Sequence, residues 1–286
     1  GAGEVNEQEI RRIVERVLAQ MQKEGADAGA EQETPLPDLA QIDLRTWYLV
    51  DDPQDREAFL ALKEKTPARL GVGHAGARYR TETMLRFQAD HTAAQSAVFS
   101  DVPEAFLQSL SLRTFQTLCQ SRDEFLTRPD KGRAFAPDVL QDIARHAKDK
   151  PRAVVYLADG LSSSAVVSNA GDILPVVLDG LRAEGVSCAE PFFVKYGRVA
   201  TQDMIGEATG ADVVCVLLGE RPGLVTANSM SAYLAYRPTV GMPESRRTVV
   251  ANIHSGGTPC VEAGAHIVDL IRLMLEKQKS GIELPV

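Results

Sequence analysis

Residues 191–223 read PFFVKYGRVATQDMIGEATGADVVCVLLGERPG, and their pattern decides the fold class. An apolar run at 192–194 is followed by an amphipathic run that ends at Gly210 and by a second apolar run at 213–218. This order is typical of a βαβ unit, so we expect parallel strands. The second strand should be buried on both faces, and the carboxylate of Glu220 follows it. Because ligands bind at the carboxyl ends of such strands, this edge of the sheet is a candidate binding site.

The rest of residues 150–286 continues the alternation of apolar and amphipathic segments. Such alternation predicts an α/β fold, and we interpret 150–286 as a Rossmann-like domain. No G-x-G-x-x-G fingerprint of phosphate binding follows a predicted strand in this domain. The patterns predict a strand at 153–158, helices at 173–183 and 259–279, and further parallel strands near Phe192, Val213, Ala232 and Thr248.

Residues 1–149 differ in composition from the α/β part. We predict an amphipathic helix within residues 1–23, a flexible linker at 24–38 that is rich in Gly, Ala, Glu and Pro, and a mainly helical domain at 39–149. Two interpretations of the first helix stay open: a docking peptide on a tether, or an ordinary helix packed on its own domain. Its apolar stripe consists of Ile10, Ile13, Val14, Val17, Leu18 and Met21.

The predicted helical domain contains helical patterns and two unusual loops. The helical patterns lie at 55–65, 81–99 and 137–148. Residues 71–80, GVGHAGARYR, combine three glycines with two arginines, so this loop could hold an anion or a partner's carboxylate; it is weak evidence for a dinucleotide site. Residues 126–133, LTRPDKGR, are better explained as a turn that satisfies its own charges.

Composition and charge limit the possible partners. With a net charge of −8 and a pI near 5.3, the chain is a poor match for nucleic acid or an anionic membrane, both of which require Lys and Arg. No apolar run approaches the roughly 20 residues of a membrane helix, and no secretory signal is evident, so we expect a cytosolic protein. The cysteines are far apart and form no C-x-x-C pair, which favours free, buried thiols over zinc or disulfides: Cys119, Cys188, Cys215 and Cys260.

Four loops are expected to share the carboxyl-end edge of the sheet: 159–164, 196–199, 219–224 and 253–258. They are rich in glycine and poor in ionisable groups, which suits a large ligand with many amides better than acid–base chemistry on a small one. Asp159, Ser162 and His254 do not form a G-x-S-x-G type of hydrolase site, and a structural histidine is the favoured interpretation. The ionisable groups of these loops are Asp159, Arg198, Glu220, Arg221 and His254.

Several long segments then resemble one family throughout the chain. They are GHAGARYRTETMLRFQADH, LTRPDKGR, ADGLSS, PFFVKYGRV, LLGERPGL and NIHSGGTPCVEA, in this order after the amphipathic first helix. This sequence closely resembles the small (light) subunit of ethanolamine ammonia-lyase. The resemblance implies an adenosylcobalamin-dependent enzyme that converts ethanolamine to acetaldehyde and ammonia through radicals, with the cofactor held between this chain and a larger TIM-barrel subunit that carries the substrate site.

The resemblance also implies site residues. Positions that touch cobalamin in the family fall on Val199, Glu220 and Val249, while no catalytic residue and no protein metal ligand are expected in this chain. Some relatives have Cys where this chain has Val249, which is compatible with an apolar or backbone contact. Family resemblance further associates the first helix with docking to shell or cargo proteins of a bacterial microcompartment, so a structural or targeting role is the alternative. A free nucleotide-binding protein is a third interpretation.

Overall fold

The computed structural model describes residues 50, 53–66, 68–75, 77–148, 150–223 and 226–284. The chain divides into two compact units, Gly1–Thr92 and Ala93–Val286. The amphipathic helix predicted at 1–23 and the linker predicted at 24–38 lie outside the described residues.

In the first unit, two predicted helices are confirmed. Helix α1 spans Arg56–Glu64, and the side chain of Asp55 accepts a hydrogen bond of 2.9 Å from the backbone N–H of Ala58, as an N-cap should. Helix α2 spans Thr81–Phe99 and runs from this unit into the next.

The glycine-rich loop before α2 is a β-hairpin. Strands β1 (His74–Ala75) and β2 (Arg78–Tyr79) pair antiparallel, and the rings of His74 and Tyr79 meet edge to face at 4.5 Å. The glycines at 71, 73 and 76 have the G-x-G-x-x-G spacing. That fingerprint requires a strand that leads directly into a helix of a βαβ unit. This segment instead contains a hairpin of two two-residue strands, so the spacing does not indicate a dinucleotide site.

The second unit is an α/β structure around a mixed six-stranded sheet with strand order β3-β5-β4-β6-β7-β8. Strand β3 comes from within the predicted helical region and pairs with β5. The elements in chain order are α3 Glu104–Ser109, β3 Arg113–Gln116, α4 Arg122–Thr127, α5 Pro137–Ala147, β4 Ala153–Ala158, α6 Ser163–Ala183, β5 Phe192–Lys195, α7 Thr201–Thr209, β6 Val213–Gly219, β7 Met230–Tyr236, β8 Arg247–Ile253 and α8 Cys260–Lys277.

Strand direction departs from the prediction at β7. Strands β3, β5, β4 and β6 are parallel, but β7 pairs antiparallel with both β6 and β8, so the expectation of parallel strands throughout was wrong. A parallel pair needs a long crossover connection, and only ten residues, 220–229, link β6 to β7. Strand β8 consequently runs in the same direction as β6.

A bulge interrupts the pairing of the edge strand β8. The partner of Met230 is Ile253, whereas the partner of Ala232 is Val250, so β8 has one more residue than β7 over this interval. Asn252, within it, has φ of 62°, a conformation that asparagine tolerates better than most residues.

Helices cover the two faces of the sheet. Residues of α6 and α8, such as Ile173 and Ile267, pack on one face, while Ile143 of α5 and Ile205 of α7 pack on the other. All six residues of β4 are buried, because this strand has a helical layer on each side.

Helix α6 is longer than the predicted 173–183. It begins at Ser163, because the hydroxyl of Ser162 accepts a hydrogen bond of 3.1 Å from the backbone N–H of Ala165 and so caps the helix. By length and composition α6 could cross a membrane, but here one side of it packs in the core of the sheet and against α8. The predicted last helix corresponds to α8 within two residues at each end.

The contact between α6 and α8 depends on glycine. A Cβ at Gly180 would lie 2.6 Å from a methyl carbon of Val268, whereas a Cβ at Gly171, on the same helix, would have no atom within 4 Å. We therefore expect Gly180→Ala to lower the free energy of unfolding by about 1–3 kcal/mol through overpacking. The matched Gly171→Ala should raise it by about 0.5–1 kcal/mol through helix propensity. Urea unfolding followed by circular dichroism measures both; equal effects would contradict the close helix contact.

Candidate functional site

The carboxyl ends of β4, β5, β6 and β8 lie at the same edge of the sheet. Ala158 pairs with Val194 and Leu218, and Gly219 pairs with Met230, which in turn pairs with Ile253. The expectation that the four strand-end loops share one edge is therefore confirmed, although β7 is antiparallel.

The glycines of this edge are used for packing between the loops. A Cβ at Gly160 would lie 2.3 Å from the carbonyl oxygen of Gly219, and one at Gly219 would lie 2.0 Å from that of Ser162. Gly160 also has φ of 54°. The loops after β4 and β6 thus touch each other, and Gly160 and Gly219 serve this contact, which leaves no space at them for a ligand.

The side chain of Arg122 fills the crevice between the ends of β4 and β5. In open α/β sheets this is where a ligand binds, because the helices that follow the two strands, α6 and α7, go to opposite faces. Here Arg122, from α4, donates to the carbonyl oxygen of Gly160 at 2.8 Å and to the carboxylate of Asp159 at 2.9 Å. A buried guanidinium of the chain itself therefore takes the usual ligand position.

Asp159 uses its second carboxylate oxygen to hold the next loop. That oxygen accepts a hydrogen bond of 3.2 Å from the backbone N–H of Gly197. The preceding residue, Tyr196, has φ of 58°, which is unusual for a residue with a side chain. Complete burial raises the pKa of Asp159 to about 6, against the opposing effect of Arg122. Asp159 is thus a structural carboxylate.

Ser162 and His254 also have structural roles. The Ser162 hydroxyl donates to the carbonyl oxygen of Ala227 at 2.6 Å. The His254 ring accepts from the backbone N–H of Gly256 through Nδ1 and lies 2.8 Å from Asn252 through Nε2, so it closes its own turn. The expectation that Asp159, Ser162 and His254 form no catalytic set agrees with these partners.

The prediction that the loop at 126–133 satisfies its own charges is confirmed in part, because the partner of Lys131, Glu124, lies outside the loop on α4. Arg128 pairs with Asp130 at 2.8 Å, and Lys131 pairs with Glu124 at 2.6 Å. Arg198 then connects this loop to the 196–199 loop, because its backbone N–H donates to Gly132 at 3.0 Å.

Glu220 and Val249 are connected through a residue that the sequence had not indicated, Tyr233, and Val199 lies on the same face of the sheet. The Tyr233 hydroxyl donates to Oε1 of Glu220 at 2.7 Å. Val249 is the partner of Tyr233 in the β7–β8 register, so the two side chains lie on the same face of the sheet. Val199 and Tyr233 pack against the same hydrophobic cluster. We call these four residues the Tyr233 surface.

The Tyr233 surface is partly open to solvent. Val249 is 47% exposed, while Val199, Glu220 and Tyr233 are half-buried. Burial, and the hydrogen bond to Glu220, raise the pKa of Tyr233, so its hydroxyl keeps its proton and continues to donate. Among the residues that the structure describes, Oε2 of Glu220 accepts no hydrogen bond. The surface thus offers one oriented carboxylate oxygen beside an apolar patch, which fits a broad ligand with amide N–H donors.

The signal for Tyr233 in the sequence is faint. Residues 230–236, MSAYLAY, alternate between the two faces of β7, and Tyr233 falls on the face that carries Val216 of β6. The hydroxyl of a partly buried tyrosine such as Tyr233 usually needs a hydrogen-bond partner. The partner lies 13 positions earlier, and only the pairing register shows that the two residues meet.

A second opening lies on the other face of the sheet, between α6 and the start of α8. It has a volume of about 560 Å³, and Asn169, Asp172, His254, Pro259, Cys260 and Val261 are among its lining residues. The amide nitrogen of Asn169 is already used, because it donates to the carbonyl oxygens of Ala165 and Asn228, both at 2.8 Å.

The four cysteines are free thiols, as predicted. Cys119 and Cys215 are buried, whereas Cys188 and Cys260 are half-buried. Burial raises the pKa of the Cys188 thiol to about 11, so it stays protonated near neutral pH. Within the described ranges, no group of three or more His, Cys, Asp or Glu side chains could hold a metal ion.

Comparison with known proteins gives a consistent result. Residues 56–285 match the family model described as ethanolamine ammonia-lyase light chain (EutC). The chain is 55% identical to the ethanolamine ammonia-lyase small subunit of Clostridium tetani, over 98% of this chain and 99% of that protein. It is 51% identical to the protein of that name from Clostridium perfringens, over 99% and 94%, and 49% identical to that from Listeria monocytogenes, over 98% and 100%.

The raised pKa of Asp159 predicts a particular pH dependence. Between about pH 4 and 6 the folded protein keeps a proton that the unfolded chain has lost, so this group lowers the free energy of unfolding as the pH rises. The Asp159→Asn variant lacks this contribution. We therefore expect the unfolding free energy of the original protein, minus that of the variant, to decrease from pH 4 to pH 6.5 in urea titrations. An increase would mean that Arg122 instead holds the pKa of Asp159 below its usual value.

Proposed function

Because this chain belongs to the ethanolamine ammonia-lyase light-chain family, we propose that it is the small subunit of an adenosylcobalamin-dependent ethanolamine ammonia-lyase. In this proposal it forms one side of the cobalamin site. The name small subunit, carried by its relatives, implies a larger partner. We place the substrate site on that large subunit, a TIM barrel by family resemblance.

The Tyr233 surface is the observation that supports the cofactor role. The three positions implied by family resemblance, Val199, Glu220 and Val249, belong to one surface although they are spread over 51 positions of the sequence. Their chemistry suits a corrin ring with amide substituents: the valines offer apolar contact, and Oε2 of Glu220 can accept an amide N–H. Valine in place of the cysteine of some relatives keeps the apolar contact.

When bound, adenosylcobalamin supplies the radical chemistry, and the protein supplies binding and orientation. In this chain, Glu220 orients the ring through one accepted hydrogen bond, and Tyr233 fixes the direction of that carboxylate. Val249 and Val199 exclude water from the covered part of the ring.

A free-standing nucleotide-binding protein is less well supported. We regard residues 150–286 as a Rossmann-like, cobalamin-contacting domain, but Arg122 and Asp159 fill the crevice where a nucleotide would bind. A phosphate there would have to displace a buried ion pair.

The proposal is tested by mixing the chain with its large subunit. Neither subunit alone should release ammonia from ethanolamine, and the mixture should do so only with adenosylcobalamin. In the complex, Glu220→Ala should weaken cyanocobalamin binding by about 1–3 kcal/mol, because an amide N–H of the corrin loses its hydrogen-bond acceptor. Absorbance titration measures the Kd.

Two variants accompany this titration. Tyr233→Phe should weaken binding in the same direction but less, because Glu220 keeps its charge and loses one donor. Glu276→Ala removes an exposed carboxylate from the far end of α8, on the opposite face, and should leave the Kd unchanged. If Glu220→Ala behaves like Glu276→Ala, the proposed contact is wrong.

A second role, docking into a bacterial microcompartment, is proposed from the sequence of the first 23 residues. Their apolar stripe lies before residue 56, where the match to the family model begins, so it can be separated from the lyase fold. We expect deletion of residues 4–23 to preserve ammonia release by the complex and to disperse a fluorescently tagged complex through the cell. Ile13→Gln with Val17→Gln, which keeps the length, should disperse it too. Loss of catalysis on deletion would contradict a separate targeting role.

A further inference from the structure

Helix α7 begins with three consecutive polar residues that are all buried: Thr201, Gln202 and Asp203. Most helices expose polar side chains in the first turn, where they meet water. Each of these three instead bonds to a strand of the sheet or to a residue on it.

Thr201 ties the turn to the centre of the sheet. Its hydroxyl lies 2.8 Å from the hydroxyl of Tyr156, on β4, and donates to the carbonyl oxygen of Arg198 at 2.7 Å. The contact with Tyr156 is buried, and the one with Arg198 is partly buried. They fix the chain just before the helix, where Val199 lies.

Gln202 reaches two further strands. Its amide nitrogen donates to the carbonyl oxygen of Val214 on β6 at 2.9 Å and to that of Tyr233 on β7 at 2.7 Å. Its backbone N–H donates to the carbonyl oxygen of Val199 at 3.1 Å. One residue therefore contacts the main chain of two members of the Tyr233 surface.

Asp203 and Gln202 together hold the edge strand. The guanidinium of Arg247, on β8, binds both carboxylate oxygens of Asp203, at 2.9 and 3.1 Å, and the side-chain oxygen of Gln202 at 3.1 Å. Val249 is two residues after Arg247 and so lies on the same face of β8. The arginine thus connects the position of Val249 to the first turn of α7.

The cost of burying these groups argues that they do more than hold the fold together. Burial raises the pKa of Asp203 despite its pairing with Arg247, so the ionised carboxylate is less favoured in the fold than in water. Apolar residues of similar size often stabilise a fold as well as a buried ion pair does. Hydrogen bonds, unlike apolar contacts, admit only one relative placement of the elements that they join.

We propose that Thr201, Gln202, Asp203 and Arg247 are positioning residues for the cofactor, which set the distance between Val199 on the α7 side and Tyr233 and Val249 on the strands. This inference rests on the proposed function of the Tyr233 surface. None of the four touches the cofactor in this proposal. They act through the main chain of Val199 and Tyr233 and through strand β8.

The test uses the complex with the large subunit and cyanocobalamin as the probe. The paired variant Asp203→Leu with Arg247→Leu replaces the ion pair by apolar groups, and Gln202→Met removes the amide at nearly constant volume. We expect both to raise the Kd about tenfold and to change the visible circular dichroism of bound cobalamin, which reports the orientation of the ring. Because the paired variant leaves the buried side-chain oxygen of Gln202 without its donor, it should lower the thermal midpoint, as the control does.

Ser163→Ala is the matched control. Ser163 carries a buried hydroxyl that donates to the carbonyl oxygen of Ser100 at 2.6 Å, at the start of α6, and α6 packs on the face of the sheet opposite to α7. It should lower the thermal midpoint and leave the Kd and the dichroism unchanged. If Gln202→Met and the paired variant also leave the Kd and the dichroism unchanged, as the control does, the positioning role is overturned.

Val249→Asp separates this inference from the function on which it rests. It places a charge on the Tyr233 surface without touching the buried cluster. A raised Kd for Val249→Asp with an unchanged Kd for Gln202→Met overturns the positioning role alone. An unchanged Kd for both Val249→Asp and Glu220→Ala overturns the proposed cofactor site itself.

Discussion

The burial of β4 and β6 on both faces is the constraint on which the rest of this structure depends. Parallel strands without an exposed face need helices above and below, and α5 and α7 on one side and α6 and α8 on the other provide them. Covered in this way, the sheet leaves two openings for a ligand: the edge where the strands end and any part of a face that the helices do not reach. Arg122 and the interlocked glycines close much of the first. Val249 marks the second, on the antiparallel part of the sheet.

Much of this architecture could be predicted from local pattern. The apolar runs at 192–194 and 213–218 are strands, the periodic segments at 81–99 and 137–148 are helices, and the loops after four strands share one edge. These predictions succeed because they need only the period of the side chains and the direction of each parallel strand. The predicted direction of β7 was wrong, because an apolar strand has the same composition whether it pairs parallel or antiparallel. Only the length of the connection before it distinguishes the two.

The site itself was less accessible to such reasoning. Family resemblance named Val199, Glu220 and Val249, but the patterns of the chain gave no reason for them to meet. Glu220 and Val249 are linked through Tyr233, which only the β6–β7–β8 register shows, and Val199 is held by the first turn of α7, whose residues TQD have the composition of an ordinary exposed turn. Long-range pairing of this kind is set by the whole fold and has no local signature.

The bulge in β8 has a consequence for assembly. The sheet ends at β8 on one side and at the four-residue β3 on the other, and an uninterrupted edge strand invites another chain to extend the sheet by backbone pairing. With Asn252 in a left-handed conformation, the far part of β8 cannot present a regular row of N–H and C=O groups. The bulge therefore disfavours extension of the sheet at this part of β8 by the backbone of another chain, and with it fibrous aggregation through this edge.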